Sequence, residues 1–528
     1  MIRDFGVLTT LGRSWKSAVS TNTANTENRE QGLPAAGLGT HSARALVYFF
    51  GCSTASKVIG FLAQLVLLYL LGRQDFGVVT LACTITAFIQ VIAQNGVQEV
   101  LIRQRTFRLW AVPAFWLALA LGVVSSVLVL LGAPFAAWMY ARTPEVHAQL
   151  FWSLIILAPS PLGYALMVVP QAQLLRELRF QTLATINLIL FTLQNVLTVV
   201  FAALGFGAYS FVWPMTISVL ITMAIFWWWV RPHWAPRPQI RRWRYMLSDS
   251  TSLLVGEYGR LVVDQSDYVL LGLFTTVPLV GIYTVGYRVA IQALQMIMTN
   301  MASILFPTFM KLADRPQKQL DAFINVQRIL TTIGVSSCLL QAAVSEPFAK
   351  FAFPSGKWDP SIVVMQVLSI GMATRMVGGA ASALMKSQGR FRIIRLFYWL
   401  HALTQVALLT LVLSLGGEVL GVSVVVGVLA ALAGPLCFYL ALRWTGNGWR
   451  TVADVMTRPT ICGSISVGVA WMLGLMMDRN GYSYLSQLIV ITAVAVALNM
   501  LLAWAWMRPV WDDFWLRVKR LLPGRAMA

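Results

Sequence analysis

Apolar runs about twenty residues long recur along this chain, separated by short polar connections, and that rhythm admits very few folds. The hydrocarbon core of a bilayer is ~30 Å thick and takes ~20 helical residues to cross. A helix in lipid also satisfies its own backbone hydrogen bonds, which an irregular segment does not. On that ruler the sequence predicts an all-α polytopic membrane protein with about fourteen transmembrane helices. They fall at roughly 45–71, 77–99, 111–132, 149–171, 181–204, 208–230, 247–274, 280–306, 321–345, 360–385, 393–414, 419–442, 457–477 and 485–507. Of the 528 residues, 58% are hydrophobic and 11% charged, where a soluble domain carries about 25% charged residues. These proportions exclude an ordinary soluble enzyme, a disordered chain and a nucleic-acid-binding domain.

The net charge of +20 therefore needs a reason other than a nucleic acid partner. Orientation supplies one. An even number of spans puts both ends on one side. With the N terminus inside, thirty of the forty Lys and Arg residues fall in inner segments or at the first residues of the spans beside them, five in outer loops and five deeper within spans. Such a bias predicts cytoplasmic N and C termini. Trp227, Trp228 and Trp229, with Trp504 and Trp506, fit interfacial anchoring at the ends of spans 6 and 14.

The same map divides the chain. Residues 1–44 form a polar cytoplasmic tail with no apolar core of its own, unlike a cleaved signal peptide. Residues 45–230 hold spans 1–6, and 231–246 a basic cytoplasmic linker. Residues 247–442 hold spans 7–12, 443–507 hold spans 13 and 14, and 508–528 make a basic amphipathic cytoplasmic tail. The linker arginines Arg231, Arg237, Arg241, Arg242 and Arg244 read as a topology determinant against anionic headgroups. In the last segment Trp511, Phe514, Trp515, Val518, Leu521 and Leu522 fall at helical spacing among basic residues, as in an interfacial helix. Cys52, Cys83, Cys338, Cys437 and Cys462 are isolated within apolar runs and read as packing residues, with no metal or disulfide spacing.

Multispanning glycan ligases and polymerases need acid/base chemistry in an ordered outer loop. Here no outer loop exceeds about sixteen residues, and none carries two closely spaced carboxylates. No nucleophile elbow, H-x-x-x-H or phosphate-binding glycine loop followed by Lys occurs, so no catalytic residue, metal ligand or direct ATP drive is assigned. The chain is expected to move something rather than to make it.

Charges inside spans are costly and mark function by default. In span 7, Glu257, Arg260, Asp264 and Asp267 follow i, i+3, i+7 and i+10. At 3.6 residues per turn they share an arc of roughly 80°. That face looks into protein or a wet cavity, and Arg260 can pair with Glu257 and Asp264. Lys57 in span 1 and Arg260 fall near mid-membrane, Arg288 in the outer half of span 8, and Arg328 and Arg375 in the inner halves of spans 9 and 10. Cations spread through the depth suit an anionic headgroup such as a diphosphate, although Arg328 and Arg375 can also snorkel to the interface. Spans 1–6 and 7–12 read as a weak repeat. Setting Gly77 against Gly281, an offset of 204, places Lys57 opposite Leu261, beside Arg260. Pro159, Pro161 and Pro170 in span 4, and Pro214 in span 6, are candidate bend points.

Several of these segments resemble one family. Leu71-Gly72-Arg73-Gln74-Asp75-Phe76-Gly77 is similar to the LG-x-x-DFG signature of polysaccharide transporters, and Gln173 to Phe180 to their Q-L-x-R-E-L-R-F segment. Asp267-Tyr268 with Gly272, Gly281-Ile282-Tyr283, and Tyr287-Arg288 resemble the D-Y-x-x-x-G, G-x-Y and Y-R landmarks; Leu305-Phe306-Pro307 and Gly389-Arg390 match two more. The chain thus resembles the Wzx-type flippases of the multidrug/oligosaccharidyl-lipid/polysaccharide exporter superfamily, nearest the colanic-acid exporter branch. The resemblance implies two six-helix lobes around a central cavity, with two further C-terminal helices. It implies alternating access, a bacterial inner membrane and an undecaprenyl-diphosphate-linked oligosaccharide as cargo for exopolysaccharide or lipopolysaccharide assembly. A polysaccharide polymerase and glycosyltransferases would be its partners. On this reading Lys57 and Arg260 contact the headgroup first, then Arg288 and Arg375. Glu257, Asp264 and Asp267 bind a coupling proton or sodium ion, or pair with the arginines. No cofactor is expected. The alternatives are an ion-coupled multidrug exporter of the same superfamily and an envelope glycan ligase or polymerase.

Overall fold

A computed structural model describes residues 35–506, apart from residues 141, 178 and 444–447 and parts of 95–105, 231–239 and 293–311. Side chains are described from residue 51 onward, except at 94, 108, 180 and 248–253. The expected amphipathic tail, residues 1–34 of the leader and residues 231–237 of the linker lie outside the described residues.

The described chain is a run of helices: α1 (Ala35–Leu70), α2 (Arg73–Gln94), α3 (Phe107–Tyr140), α4 (Pro144–Leu157), α5 (Ser160–Arg176), α6 (Phe180–Ala203), α7 (Tyr209–Val230) and α8 (Ile240–Phe274). There follow α9 (Val277–Ala290), α10 (Pro316–Ala352), α11 (Asp359–Met372), α12 (Arg375–Ser387), α13 (Phe391–Ser414), α14 (Val419–Leu442), α15 (Trp449–Arg479) and α16 (Tyr484–Trp506). Sequence sets the boundaries. Thr143 caps α4, its side chain accepting from the Val146 amide with Pro144 in the first turn. Gly389 takes φ +72° just past α12, a left-handed stop that side chains disfavour.

Among the described residues, eleven helices are long and apolar enough to cross a membrane, and twelve if α11 and α12, bent by 42°, are one span. The expected spans 7 and 8 are the two outside that set. The first lies in α8, whose mid-helix charges lower its apolarity, and the second is described as α9 only to Ala290. Several helices outrun the apolar stretch that announced them. α1 begins at Ala35 rather than near 45, and α8 at Ile240, so Arg241, Arg242 and Arg244 sit on a helix rather than in a linker. Hydropathy marks the part of a helix in hydrocarbon, while the hydrogen-bonded spiral continues into the interface. The expected span 4 is α4 plus α5, interrupted at Ala158 and Pro159, and the expected span 10 is α11 plus α12, interrupted at Ala373 and Thr374.

Packing groups the helices. In the first bundle α1 lies on α6, α6 on α7, α7 on α5, and α3 against α2, α4 and α5. In the second, α8 lies on α13, α13 on α14, and α14 against α11 and α12, with α10 on the other side of α11. α15 and α16 pack on each other and on α10. The bundles meet where α2 lies along α9. Their approach there is reciprocal. A Cβ added at Gly77 would strike the Val277 carbonyl, and one added at Gly281 would strike the Arg73 carbonyl. Residues 73 and 77 correspond to 277 and 281 at the offset of 204, so the two halves use equivalent positions against each other. Helices in lipid associate by such close packing, because lipid tails are as apolar as their side chains.

One buried core crosses between the bundles at this end, from Leu67, Leu68 and Phe76 to Val277, Tyr283 and Trp358. Polar bonds close over it. Arg73 Nε donates to the Lys357 carbonyl at 2.8 Å, Lys357 Nζ donates to the Leu71 carbonyl, and Trp358 Nε1 donates to the Leu68 carbonyl at 2.8 Å. The Trp358 and Phe76 rings meet edge to face at 5.4 Å. Burial of its ammonium pushes Lys357 below the usual lysine range.

Candidate functional site

Below that closure, a cavity of about 780 Å³ lies between the bundles. Its walls differ. From the first bundle come Lys57, Phe61 and Gln64 of α1, Thr84 of α2, and Phe191 and Asn195 of α6. Apart from Lys57 these are neutral amide, hydroxyl and aromatic groups. From the second bundle come Arg260 and Asp264 of α8, Arg288 of α9 and Arg375 of α12, with Tyr398 and His401 of α13. Leu68, whose carbonyl holds Trp358, lines the cavity toward the closed end.

Helical periodicity explains the first wall. Lys57, Gly60, Phe61, Gln64, Leu65 and Leu68 recur at three- and four-residue steps, one continuous face of α1. The outward face carries Val58, Leu62 and Tyr69, which are exposed. Arg375 arrives by another route. It is the first residue of α12, immediately after the break, so its side chain leaves a helix terminus inside the bundle. The break is pinned to α14. Thr374 Oγ1 donates to the Ala431 carbonyl at 2.8 Å, and Gly434 leaves room for the Thr374 carbonyl.

The charges form one network and two separate groups. Asp264 Oδ2 accepts from Arg260 Nη1 at 2.7 Å, and its Oδ1 accepts from Arg375 Nη2 at 2.5 Å. Arg260 Nε also donates to Glu257 Oε2 at 2.8 Å. Lys57 Nζ donates to the Gln295 carbonyl at 2.9 Å, and Arg288 Nη1 to Gln64 Oε1 at 3.4 Å. Asp267 does not reach the cavity. It is 1% exposed, accepting from the Tyr283 hydroxyl at 2.6 Å and from the Tyr268 amide at 3.0 Å.

Of the residues singled out from sequence, Lys57, Arg260, Arg288 and Arg375 all line this one cavity, as does Asp264. Glu257, bonded to Arg260, and Asp267, bonded to Tyr283 and Tyr268, are not among the residues that line it. Arg328 is elsewhere, paired with Asp454 of α15 at 3.4 Å. Sequence reasoning missed the neutral lining: Gln64, Asn195, Gln265, Tyr398 and His401. The spacing of Phe397, Tyr398 and His401 within span 11 was a usable signal, one helix face with polar tips in an apolar run. Of the family landmarks, Asp75 accepts from the Gly72 amide at 2.8 Å, Phe76 packs on Trp358, and Gly77 meets α9. That motif builds the closure rather than the cavity wall.

Fold and site together define a class: a polytopic α-helical membrane protein whose two bundles enclose a cavity rich in basic side chains. The chain belongs to the polysaccharide biosynthesis protein family, whose profile matches residues 66–363. It is 24% identical over 418 residues to the succinoglycan biosynthesis transport protein ExoT of Rhizobium meliloti, covering 78% of this chain and 81% of that one. It is 22% identical to the lipopolysaccharide biosynthesis protein WzxC of Escherichia coli, covering 65% and 71%. Among solved structures, the lipid II flippase MurJ in an inward closed conformation superposes with a TM-score of 0.69 at 10% identity, over 87% of this chain and all of that one. An inward-facing multidrug resistance transporter of the MOP superfamily superposes with a TM-score of 0.57 at 15% identity, over 78% and 95%. At those identities the likeness is one of fold. The Wzx-type resemblance read from the motifs and the family profile agree.

Proposed function

We propose that this protein is a flippase that moves a polyprenyl-diphosphate-linked oligosaccharide from the cytoplasmic to the outer leaflet of a bacterial inner membrane, by alternating access. The observation that carries the reading is the convergence of Lys57, Arg260, Arg288 and Arg375, from four helices, on one cavity between two bundles. Arg260 and Arg375 already hold Glu257 and Asp264, while Lys57 and Arg288 have no carboxylate partner among the described residues, and cations at membrane depth are costly unless an anion comes to them. A diphosphate is such an anion, and the neutral amides and aromatic rings of the facing wall suit hydroxyl-rich sugars. The polyprenyl chain stays in lipid. The names of the relatives, which concern transport and synthesis of surface polysaccharides, support the same cargo.

On this reading residues 45–230 and 247–442 are the two moving lobes, and 443–507 an appendage on α10. The Lys/Arg bias supports an outer position for the closed end, at residues 71–76 and 353–358. The chain is then caught with its outer side shut and performs no bond chemistry of its own. Glycosyltransferases would supply the cargo and a polymerase would receive it. Coupling to a proton or sodium gradient is part of the proposal. Asp267 suits it best, being the span-7 carboxylate without a cation partner among the described residues.

The experiment is translocation of a fluorescent lipid-linked oligosaccharide in proteoliposomes. Wild type is expected to be active and Lys57→Ala and Arg260→Ala severely reduced. Equal rates in all three would remove the cavity assignment. Transport of cationic dyes without the glycolipid would favour a drug exporter, and covalent glycan transfer would favour an enzyme.

A further inference from the structure

The two bundles are built alike but filled differently. In the first, α5 and α6 both pack on α7; in the second, α12 and α13 both pack on α14. Between α5, α6 and α7 the space is occupied by Met167, Ile186, Leu190, Val219 and Phe226, all buried in one core. Among the described residues, neither α5 nor α7 reaches the cavity. The second bundle departs from this plan. Gly378 and Gly379 of α12, Phe397, Tyr398 and His401 of α13, and Gly434 of α14 all line the cavity, so it runs on between these three helices as a recess. Glycines on two helices make the room, and rings on the third form its wall. At Gly378 an added Cβ would lie 3.6 Å from Gly434 and 3.7 Å from the Cys437 Cβ, at ordinary contact distance.

The recess has the chemistry of a sugar site. His401 Nε2 is enclosed there without a hydrogen-bond partner among the described residues, a costly state for a polar atom. A sugar hydroxyl both donates and accepts, so it satisfies that nitrogen in either tautomer. Phe397 lies one turn before His401, with ring centroids 6.1 Å apart, and is half-buried, as is Tyr398. Aromatic faces beside a polar tip suit the apolar C–H face of a pyranose and its hydroxyl edge. The charge beside the recess is already answered. Arg375, one turn before Gly378 and Gly379 on the same face of α12, holds Asp264 at 2.5 Å. Resting on the flippase reading, we propose that this recess seats one neutral hexose ring of the cargo and thereby selects which glycan is carried. A uronic acid in its place would bring a second carboxylate to a guanidinium that Asp264 already occupies.

The test measures what a sugar adds to binding. Full-length protein in lipid nanodiscs is titrated with farnesyl diphosphate and with its glucosyl, galactosyl, N-acetylglucosaminyl and glucuronosyl derivatives. The gain is the ratio of each derivative's dissociation constant to that of the parent. In wild type at least one neutral sugar is expected to tighten binding about tenfold or more, and glucuronate to add less. Gly378→Val, which fills the recess, and His401→Phe, which keeps a ring but removes the nitrogen, are each expected to lose most of that gain. His401→Gln, which restores a donor and an acceptor, is expected to recover part of it. Gly132→Ala, outside the cavity and with nothing within 4 Å, is expected to keep all of it. A gain that survives both recess substitutions, or no gain from any neutral sugar in wild type, would overturn the recess and leave the flippase reading standing. Glucuronate favoured over every neutral sugar would do the same. So would an equal loss of farnesyl diphosphate binding in the two variants, since the recess would then serve the headgroup. Failure of wild type to bind farnesyl diphosphate or any derivative would overturn the flippase reading itself, and the recess with it.

Discussion

At Asp264 a single carboxylate accepts from guanidinium groups on two helices, and its neighbour three residues on, Asp267, accepts from no guanidinium among the described residues. Asp264→Asn leaves Arg375 without a carboxylate. Removing one partner of a fully buried ion pair costs about 3–5 kcal/mol, but these groups are partly open to the cavity, with side-chain exposures of 22% and 32%. The expected loss is about 1–2 kcal/mol, read as a lower unfolding midpoint in detergent. Asp267 is fully enclosed, so Tyr283→Phe strips it of its hydroxyl donor and is expected to cost about 1–3 kcal/mol. Asp267→Asn, whose amide oxygen accepts the same bond, is expected to fold. If Asp267 carries the coupling ion, transport by that variant no longer responds to an imposed gradient; an unchanged response would release Asp267 from the role. The pairing of Arg260 with Glu257 and Asp264 was legible in sequence, because three- and four-residue spacing fixes it on any helix. The Gln295 carbonyl that meets Lys57 and the Tyr283 hydroxyl that meets Asp267 were not, because each lies outside the helix that carries its partner.

Helices α2 and α9 touch through glycines that have no side chain to give way. At Gly77 and Gly281 an added methyl meets backbone carbonyls of the opposite helix, which cannot rotate aside. Gly77→Ala and Gly281→Ala are each expected to cost about 1–3 kcal/mol, seen as reduced folded yield and thermal stability, with similar effects because the contact is reciprocal. Gly132→Ala, where nothing lies within 4 Å, is the matched control. Breaks in helices were only half visible beforehand. The interruption at Pro159 follows from proline chemistry. The one at Ala373 and Thr374 has no proline, and is held by the fit of Thr374 against α14. That fit carries Arg375 into the cavity, where sequence alone left snorkelling to the interface as an equal reading.

For the whole molecule, the closure around Trp358 is the structural counterpart of the cavity. Trp358 is fully buried, and Trp358→Ala removes both its bond to Leu68 and its ring contact with Phe76. Truncations of that size cost about 3–5 kcal/mol. The variant is expected to expose native Cys83, half-buried in the cavity wall, to a membrane-impermeant maleimide added outside. With the other four cysteines replaced, wild type is expected to label slowly from that side. Equal rates would mean that Trp358 does not guard the cavity. The count of apolar runs, the bias of Lys and Arg and the motif order were enough to establish a polytopic helical membrane protein of this family, since lipid imposes length, apolarity and charge placement on each segment separately. What only the tertiary structure decided was which basic groups meet and which already hold an anion. Those depend on rotation and contact between helices far apart in the chain, about which a run of apolar residues carries no information.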